Sequence, residues 1–308
     1  MNYYTIETEK PIAGVARSAM MVDLNIAVYS GRKQDKSTQA EVTNAKGSGS
    51  KKAASVYKNL FAECKELEAI TKFQARARAE HYRLTLPWND QGARLLPTAA
   101  LLEYQKTMGR HNTEFNRLVD AFLDKYETLV AGAAFQLGTL FDRNEYPSRG
   151  KVAQRFRMEA SFTPLPTGGD FRLDVESEVQ RNLIAQYEEK LDAKLKAANQ
   201  DSWTRLYNAI SKLSDRLTVD EDGKKRTFHD TTVTNAVDLC ELLQVMNITN
   251  DPALTKASRK LEEVLSGITP KELREEDSTR ALTKIKVDEI LGAFDWGIHD
   301  GESEGSGN

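Results

Sequence analysis

The sequence predicts a mainly α fold, with long antiparallel helices, a small β-sheet and a β-hairpin ribbon. Apolar residues recur every three or four positions over most of the chain, which is the period of an amphipathic helix. In addition, 29% of the 308 residues are charged and 40% are hydrophobic, a balance typical of long, well-solvated helices. A chain of this length forms one large domain or two ordinary ones.

The N-terminal third is expected to contain one strand and one long helix. Apolar and polar residues alternate at about 22–28, which predicts a strand with one buried face. The Gly-, Ser- and Lys-rich segment from Ser30 to Ser50 is expected to be a mobile loop. Helical spacing then predicts a helix that runs from Ser50 to about Arg83, and Pro87 with the turn residues after it ends that helix.

A second long helix is predicted after an N-cap at Thr98, with a kink at 110–112 and an end at Pro147. Its apolar face is formed by Phe115, Leu118, Phe122, Tyr126, Leu129, Ala133, Leu137 and Leu140. Period-two alternation then predicts strands at about 155–163 and 170–175. Because an isolated hairpin is only marginally stable, we expect these two strands to form a sheet with the first one.

A long helix is predicted from Asp174 to Leu217, either continuous or broken near 198–202. Its second half has the three-four alternation of a coiled-coil or bundle seam. Asp222-Gly223 predicts a hairpin ribbon over 217–228, since this dipeptide favours tight hairpin turns.

Shorter helices are predicted beyond the ribbon, at 231–246, after Asp251-Pro252 and after the capping box from Thr269 to Glu272. A last helix is expected to place four residues on its apolar face: Leu282, Ile285, Ile290 and Leu291.

These elements predict three regions. The long-helix body with the sheet spans 1–217, and the ribbon and shorter helices span 218–294. The acidic, Gly- and Ser-rich segment 295–308 is expected to be a disordered tail.

Charge and cysteine usage limit the classes of function. The formal net charge of -3 is unlike that of a dedicated nucleic-acid binder, which is usually strongly basic. Cys64 and Cys240 lie far apart in apolar helical patterns, so we expect buried structural thiols and a reducing, cytoplasmic setting. No apolar run approaches the roughly 20 residues that span a bilayer, and no membrane partner is expected.

No catalytic constellation, cofactor site or metal site is evident in the sequence. Gly47–Lys52 resembles a phosphate loop but lacks the Gly-Lys-Ser/Thr ending. Four histidines lie in separate segments without a second His or Cys at ligand spacing: His81, His111, His229 and His299. The sequence therefore predicts a protein that is not an enzyme.

Two basic clusters are candidate contacts for partners or nucleic acid. The first lies around the end of the first predicted helix and includes Lys72, Arg76, Arg78, Arg83 and Trp88. The second lies on the ribbon and consists of Lys224, Lys225 and Arg226. Arginine and aromatic side chains together hold phosphates and stack on bases. Cations at the end of a helix also complement its dipole without any ligand.

The region from Val22 to about Asp174 resembles an uncharacterised family of tailed-phage and prophage proteins. The resemblance is carried by Val22-Asp23-Leu24, Ser30–Lys33, Thr85–Trp88, Gly92–Pro97, Leu137–Phe141, Tyr146–Ser148, Phe162–Pro166 and Asp170–Arg172. Genes of this family tend to lie beside a MoxR-like AAA+ ATPase and a von Willebrand-A, cobaltochelatase-like protein. The resemblance therefore implies a partner in an ATPase-linked assembly, and it implies no catalytic residue.

Together these features favour a non-enzymatic interaction or scaffold protein of phage origin, an adaptor or partner of a AAA+ ATPase. It is expected either to form oligomers or to bind partners through unpaired helix faces. One alternative is a nucleic-acid-binding protein that uses the two basic clusters, with an affinity that falls steeply with salt. Another is a phage inhibitor of a host enzyme or defence complex.

Overall fold

The computed structural model describes residues 18–50, 52–89, 92–165, 177–220, 222–227 and 229–297. The predicted mainly α class is confirmed. The helices are α1 (Lys36–Ala45), α2 (Lys65–Arg83), α3 (Leu101–Asp124), α4 (Tyr126–Leu137), α5 (Arg149–Ala153), α6 (Ser177–Leu217), α7 (Thr231–Met246), α8 (Pro252–Leu265), α9 (Pro270–Glu275) and α10 (Asp277–Ala293). Among the described residues, no helix combines the length and the apolar character needed to cross a bilayer.

Within the described residues, five strands form two small sheets: β1 (Ala19–Ala27), β2 (Arg32–Gln34), β3 (Tyr57–Asn59), β4 (Arg94–Pro97) and β5 (Arg157–Pro164). The larger sheet has the order β4-β1-β5, and β1 pairs antiparallel with β4 so that Ala19 lies opposite Pro97. The smaller sheet is the antiparallel pair β2-β3.

The chain divides into two compact units. The central unit consists of Asp23–Arg83 and Glu103–Ser161, and the C-terminal unit consists of Met1–Val22, Leu84–Leu102 and Phe162–Asn308. The boundary predicted at residue 217 falls inside the C-terminal unit, because α6 packs against α7, α8 and α10.

The core of the C-terminal unit follows the predicted seam of α6. The seam residues Trp203, Leu206, Ile210, Leu213 and Leu217 are all buried, in one cluster with apolar residues of α7, α8 and α10. Helix α6 runs without a break, so the break considered near 198–202 is absent. The seam therefore belongs to a bundle of one long helix and several shorter ones.

Arg280 of α10 is buried at the end of α6, with only 2% of its surface exposed. Its Nε donates to the carbonyl of Leu217 at 2.9 Å, and Nη2 donates to that of Arg216 at 2.6 Å. The same side chain also reaches the carbonyls of Leu273 and Arg226. The positive charge therefore meets the negative end of the α6 dipole and satisfies carbonyls that have no partner within the helix.

The core of the central unit is an aromatic cluster around Phe61. The Phe61 ring lies 5.4 to 6.2 Å, between centroids, from the rings of Tyr29, Phe122, Tyr126 and Tyr146. Three of these contacts are edge-to-face, the arrangement that aromatic pairs favour. This cluster fixes the turn before α2 against the junction of α3 and α4.

The prediction of a mobile loop from Ser30 to Ser50 is wrong, because β2 and α1 form within this segment. The carboxylate of Asp35 caps α1 by accepting hydrogen bonds from the backbone N–H groups of Ser37 and Thr38. The backbone N–H of Asp35 in turn donates to the carbonyl of Val56 at 2.9 Å. Capping and strand pairing thus order a segment whose composition is typical of a loop.

The two helices predicted in the N-terminal half differ from the prediction, one in where it begins and the other in where it is interrupted. The first starts at Lys65 rather than Ser50, because residues 57–59 pair with β2 as strand β3. The second is interrupted at Lys125 rather than at 110–112, which separates α3 from α4. Helical spacing alone does not reveal these interruptions, since the apolar positions on either side remain in register.

Two of the three strands predicted for the sheet are present in the structure. The strands predicted at 22–28 and 155–163 correspond to β1 and β5, whereas the segment 170–175 lies outside the described residues. The other neighbour of β1 is β4, which the alternation of apolar residues does not indicate because only four residues form it.

The predicted ribbon over 217–228 is reduced to a turn with one isolated bridge, between Val219 and Lys225. Gly223 takes the left-handed conformation that this turn requires, with φ 76°. Residue 217 still belongs to α6, so the flanking segments are too short to pair as strands.

The helices predicted at 231–246, after Asp251-Pro252 and after Thr269 are confirmed as α7, α8 and α9. The predicted apolar face of the last helix is wrong for Leu282 and Ile285, which are exposed. Arg280 turns a different face inward, formed by Arg280, Thr283, Val287 and Ile290.

The first residues of the segment 295–308 are packed, whereas the sequence predicts a disordered tail there. Trp296 is buried in the cluster of the C-terminal unit, and its indole N–H donates to the carbonyl of Leu291 at 2.8 Å. Residues 298–308 lie outside the described part of the chain.

Replacing Arg280 with Met should lower the free energy of unfolding of the C-terminal unit by about 3 kcal/mol, since several buried carbonyls would lose a charged donor. Urea unfolding followed by tryptophan fluorescence measures this change. Arg259→Met on the exposed side of α8 is the matched control, with an expected change within about 0.5 kcal/mol. Equal stabilities of the two variants would contradict this role of Arg280.

Stability should also depend on the protonation of Asp35. Hydrogen bonds from the side chain of Ser37 and from Thr38 lower the pKa of Asp35 to about 2. A group whose pKa is lowered by folding stabilises the folded state above its ordinary pKa, and this contribution is lost as the pH falls towards 2. We therefore expect the difference in thermal stability between the wild type and Asp35→Asn, followed by circular dichroism, to shrink between about pH 5 and pH 2. A difference that does not change with pH would contradict this assignment.

Candidate interaction surface

Helix α4 carries Phe135, which has the largest exposed fraction of any large hydrophobic residue in the described part of the chain. The sequence from Thr128 to Phe141 contains no charged residue, and Phe135, near its middle, is 92% exposed. Ala131 and Gly132 on α4 and Leu140 in the following turn are exposed as well. We call these four residues, Ala131, Gly132, Phe135 and Leu140, the α4 surface. Contiguous exposed apolar patches occur at protein interaction sites, which makes the α4 surface a candidate for one.

Hydrogen bonds at both ends hold α4 in place. At its start, the hydroxyl of Tyr126 donates to the carbonyl of Pro147 at 2.6 Å. Beyond its end, Lys58 Nζ donates to the carbonyl of Leu140 at 2.8 Å and lies 2.6 Å from Glu145 Oε2. Gly138 ends the helix with φ 52° and ψ -123°, a backbone conformation suited to glycine. Phe135 is therefore presented by a fixed helix and not by a mobile loop.

A groove of about 240 Å³ lies beside the α4 surface. One wall is formed by residues 61–66, the turn before α2 and the first residues of that helix, and the other by Thr128, Leu129, Gly132 and Gln136 of α4. Gly132 thus belongs to both the groove and the α4 surface. Since residues three apart on a helix are neighbours, Phe135 stands next to this groove.

Three charged residues line the groove, Glu63, Lys65 and Glu66, and Glu66 is paired with Lys125. Lys125 Nζ lies 2.7 Å from Glu66 Oε1, and this hydrogen bond lowers the pKa of Glu66. Burial raises the pKa of the Cys64 thiol, whose Sγ lies 3.6 Å from Glu66 Oε2. The thiol is therefore protonated at neutral pH and is not an activated nucleophile. The groove is therefore lined by apolar, polar and charged residues together.

The predicted basic residues of α2 each have a contact within the central unit. Lys72 Nζ lies 2.6 Å from Glu68 Oε1, and Arg83 Nη2 lies 2.7 Å from Glu80 Oε1. The Arg76 guanidinium lies over the ring of Phe73, and that of Arg78 donates to the carbonyl of Ile26. These four contacts are internal ones, and two of them neutralise the cation.

Trp88 belongs to the C-terminal unit, where it is 8% exposed in an apolar cluster with Leu86 and Leu95. Lys194 Nζ lies 5.2 Å from the centre of its ring. Little of the indole surface is left for stacking on a base. Trp88 therefore acts as a packing anchor.

Two of the three basic residues of the predicted ribbon form ion pairs with acidic residues. Lys225 pairs with Asp277, and Arg226 pairs with Asp215 and Asp220. Lys224 is exposed in the turn. Neither predicted cluster forms a field of unpaired cations, and their contact with nucleic acid stays a prediction.

Other side chains that could take part in a reaction are buried in the core. His81 Nδ1 lies 2.8 Å from the hydroxyl of Tyr104, and both side chains are buried. Cys240 is fully buried, as predicted, and desolvation raises its pKa to about 12. Within the described ranges, no group of three or more His, Cys, Asp or Glu side chains is arranged to hold a metal ion.

Phe135 is the residue that sequence reasoning missed. It lies outside the predicted apolar face of its helix, and periodicity identifies buried faces rather than exposed ones. The uncharged run from Thr128 to Phe141 is the signal that would have identified this surface.

Comparison with known proteins gives no match to any family model, curated protein or solved structure. The function proposed below therefore rests on the residues of this chain and on the sequence resemblance described above.

We expect only weak binding of duplex DNA, because Lys72, Arg83, Lys225 and Arg226 are already paired with carboxylates. Fluorescence anisotropy of a labelled duplex at about 50 and 200 mM salt measures this. We expect the affinity to change less than about tenfold, since few counterions would be released. A loss of about a thousandfold or more would instead support the nucleic-acid-binding alternative.

Proposed function

We propose that this chain is a non-enzymatic interaction protein of phage origin that docks proteins through its α4 surface. The observation that carries the proposal is the 92% exposed Phe135 on a helix fixed at both ends. Burial of exposed aromatic side chains dominates the energetics of many interfaces. Because α4 is already held in place, a partner would not lose binding energy in ordering it.

The partner class follows from the resemblance to the tailed-phage family. That resemblance implies a MoxR-like AAA+ ATPase, and we propose that this chain is its adaptor. A second exposed apolar pair, Leu282 and Ile285, lies on α10 of the C-terminal unit. An apolar helix face on each unit suits a scaffold that holds more than one protein chain.

The mechanism proposed is shape complementarity. Phe135 would enter an apolar recess of a partner, and the uncharged neighbours Ala131 and Gly132 would permit close contact of backbones. Burial of an aromatic side chain of about 200 Å² contributes on the order of several kcal/mol, at about 25 cal/mol per Å².

Affinity purification of the tagged chain with the MoxR-like ATPase tests this proposal. We expect Phe135→Ser to reduce the recovered ATPase at least tenfold, because the main apolar contact would be lost. Leu102→Ser is the matched control, since Leu102 is 80% exposed and lies in the C-terminal unit. Equal recovery with both variants would contradict the role of the α4 surface, and capture of a host enzyme through Phe135 would favour the inhibitor alternative.

A further inference from the structure

We infer that the segment from β2 to β3 in the central unit carries a binding surface for single-stranded nucleic acid. The surface consists of five exposed side chains, and we call it the basic surface: Arg32, Lys36, Lys46, Lys52 and Tyr57. None of these residues belongs to the α4 surface or to the basic clusters predicted from the sequence. The inference therefore goes beyond the proposed docking function and does not depend on it.

Positive charge is concentrated in the segment that carries the basic surface. Residues 32–58 contain seven Lys and Arg against two Asp and Glu, a formal charge of +5, whereas the whole chain has a formal charge of -3. The net charge of the chain therefore does not describe this segment. Lysine and arginine residues that cluster in one part of a protein are the electrostatic footprint of a nucleic-acid-binding site.

The cations of the basic surface are not neutralised within the protein. Among the described residues, no carboxylate forms an ion pair with any of the four: Arg32, Lys36, Lys46 and Lys52. The carboxylate of Asp35, one of the two acids in the segment, accepts hydrogen bonds from the N–H groups that begin α1. Cations that are free in this way bind phosphates and release the counterions of the nucleic acid.

Strand pairing brings Arg32 and Tyr57 together on one face of the β2-β3 sheet. Arg32 lies opposite Asn59 and Gln34 lies opposite Tyr57, so these four side chains share a face. The Arg32 guanidinium lies 5.3 Å from the centre of the Tyr57 ring, and Tyr57 is 53% exposed. Unpaired bases stack on aromatic rings and on guanidinium planes, so this pair is a platform for a base.

Two of the lysines lie on one side of α1. Lys36 begins the helix and Lys46 follows its last residue. At 1.5 Å and about 100° per residue, they are about 15 Å apart along the axis and about 80° apart around it. The cations are therefore spread over a length that several phosphates of one strand can follow.

Contacts at its base hold the segment in place. The backbone N–H of Leu60 donates to the carbonyl of Gly31 at 2.7 Å, and that of Asp35 donates at 2.9 Å to the carbonyl just before β3. Lys58 lies on the other face of the sheet from Tyr57, where it pairs with Glu145 at 2.6 Å. The platform is thus presented by an ordered scaffold, which lowers the entropy that binding costs.

The turn after α1 leaves room for a sugar-phosphate backbone. Gly47 has φ 63°, and a Cβ added at Gly47 or at Gly49 would meet no atom within 4 Å. The next element is β3 and not a helix, so this turn is not a phosphate loop. Glycine without neighbours nevertheless permits the close approach of a ligand.

Stacking and flexibility favour a single strand over a duplex. The bases of a duplex stack on one another and offer no free face to Tyr57. Because a duplex is stiff over this length, we expect it to meet only one or two of the cations at a time. A membrane is disfavoured, because Val42 is the one large hydrophobic residue of α1 and is 39% exposed, too little for an apolar face.

Fluorescence anisotropy with a labelled single strand tests the inference. A strand of about 20 nucleotides is longer than the roughly 4–16 nucleotides of comparable sites. We expect the full chain to bind it at least tenfold more tightly than the duplex of the same sequence. Between about 50 and 200 mM salt, we expect the affinity for the strand to fall about twentyfold, as for about three phosphate contacts.

Tyr57→Ala should weaken binding of the strand about tenfold, because a stacked base would lose its platform. Tyr57→Phe retains the ring and should bind within about twofold of the wild type. Neither variant changes a charge, so the salt dependence should stay the same. Equal thermal unfolding by circular dichroism separates loss of stacking from loss of folding.

The double variant Lys46→Gln and Lys52→Gln should weaken binding and reduce the salt slope by about 0.7 for each lysine. The matched control is Lys256→Gln with Arg259→Gln, which removes two exposed cations from α8. Both double variants change the net charge equally, and we expect only the first to alter binding.

Four results would each overturn the inference: no binding of the single strand at about 50 mM salt, equal affinity for the duplex, competition by polyglutamate as strong as by the unlabelled strand, or no effect of Tyr57→Ala. Phe135→Ser should bind the strand as the wild type does. If that variant loses the ATPase but the wild type binds no strand, the docking function stands and this inference is wrong. If the strand binds through Tyr57 and Phe135 has no effect on the ATPase, the inference stands and the docking function is wrong.

Discussion

Helix α6 ends inside the C-terminal unit, and its last carbonyls must find donors away from bulk water. The guanidinium of Arg280 supplies them by donating to several carbonyl oxygens. A single side chain thereby connects the end of α6, the turn after it, α9 and α10. Because the planar guanidinium has donors on three nitrogens, this one side chain satisfies several carbonyls at once.

The same contact determines which residues of the C-terminal unit face outward. With Arg280 turned inward, Leu282 and Ile285 lie off the buried face of α10. In the central unit, the Phe61 cluster and the hydroxyl of Tyr126 have the corresponding effect on α4, and they leave Phe135 exposed. In each unit, the contacts that hold a helix in place thus leave some of its apolar side chains exposed.

Elements with local signals were predictable from the sequence, and elements that depend on distant pairing were not. Asp251-Pro252 and the Thr269–Glu272 capping box define the starts of α8 and α9 within a few residues. Strand β3 exists because it pairs with β2, which lies more than twenty residues earlier, and the spacing of Leu60 and Cys64 within a helical pattern obscures it. The exposure of Phe135 depends on the packing of α4, which a single sequence does not specify.

The distribution of aromatic residues gives the two units different optical properties. All three tryptophans, Trp88, Trp203 and Trp296, lie in the C-terminal unit, whereas the rings of the central unit are those of phenylalanine and tyrosine. Trp203 and Trp296 are in edge-to-face contact, with ring centroids 5.5 Å apart. Selective excitation of indole therefore reports on one unit alone. The chain therefore carries an intrinsic optical label for the C-terminal unit that the central unit lacks.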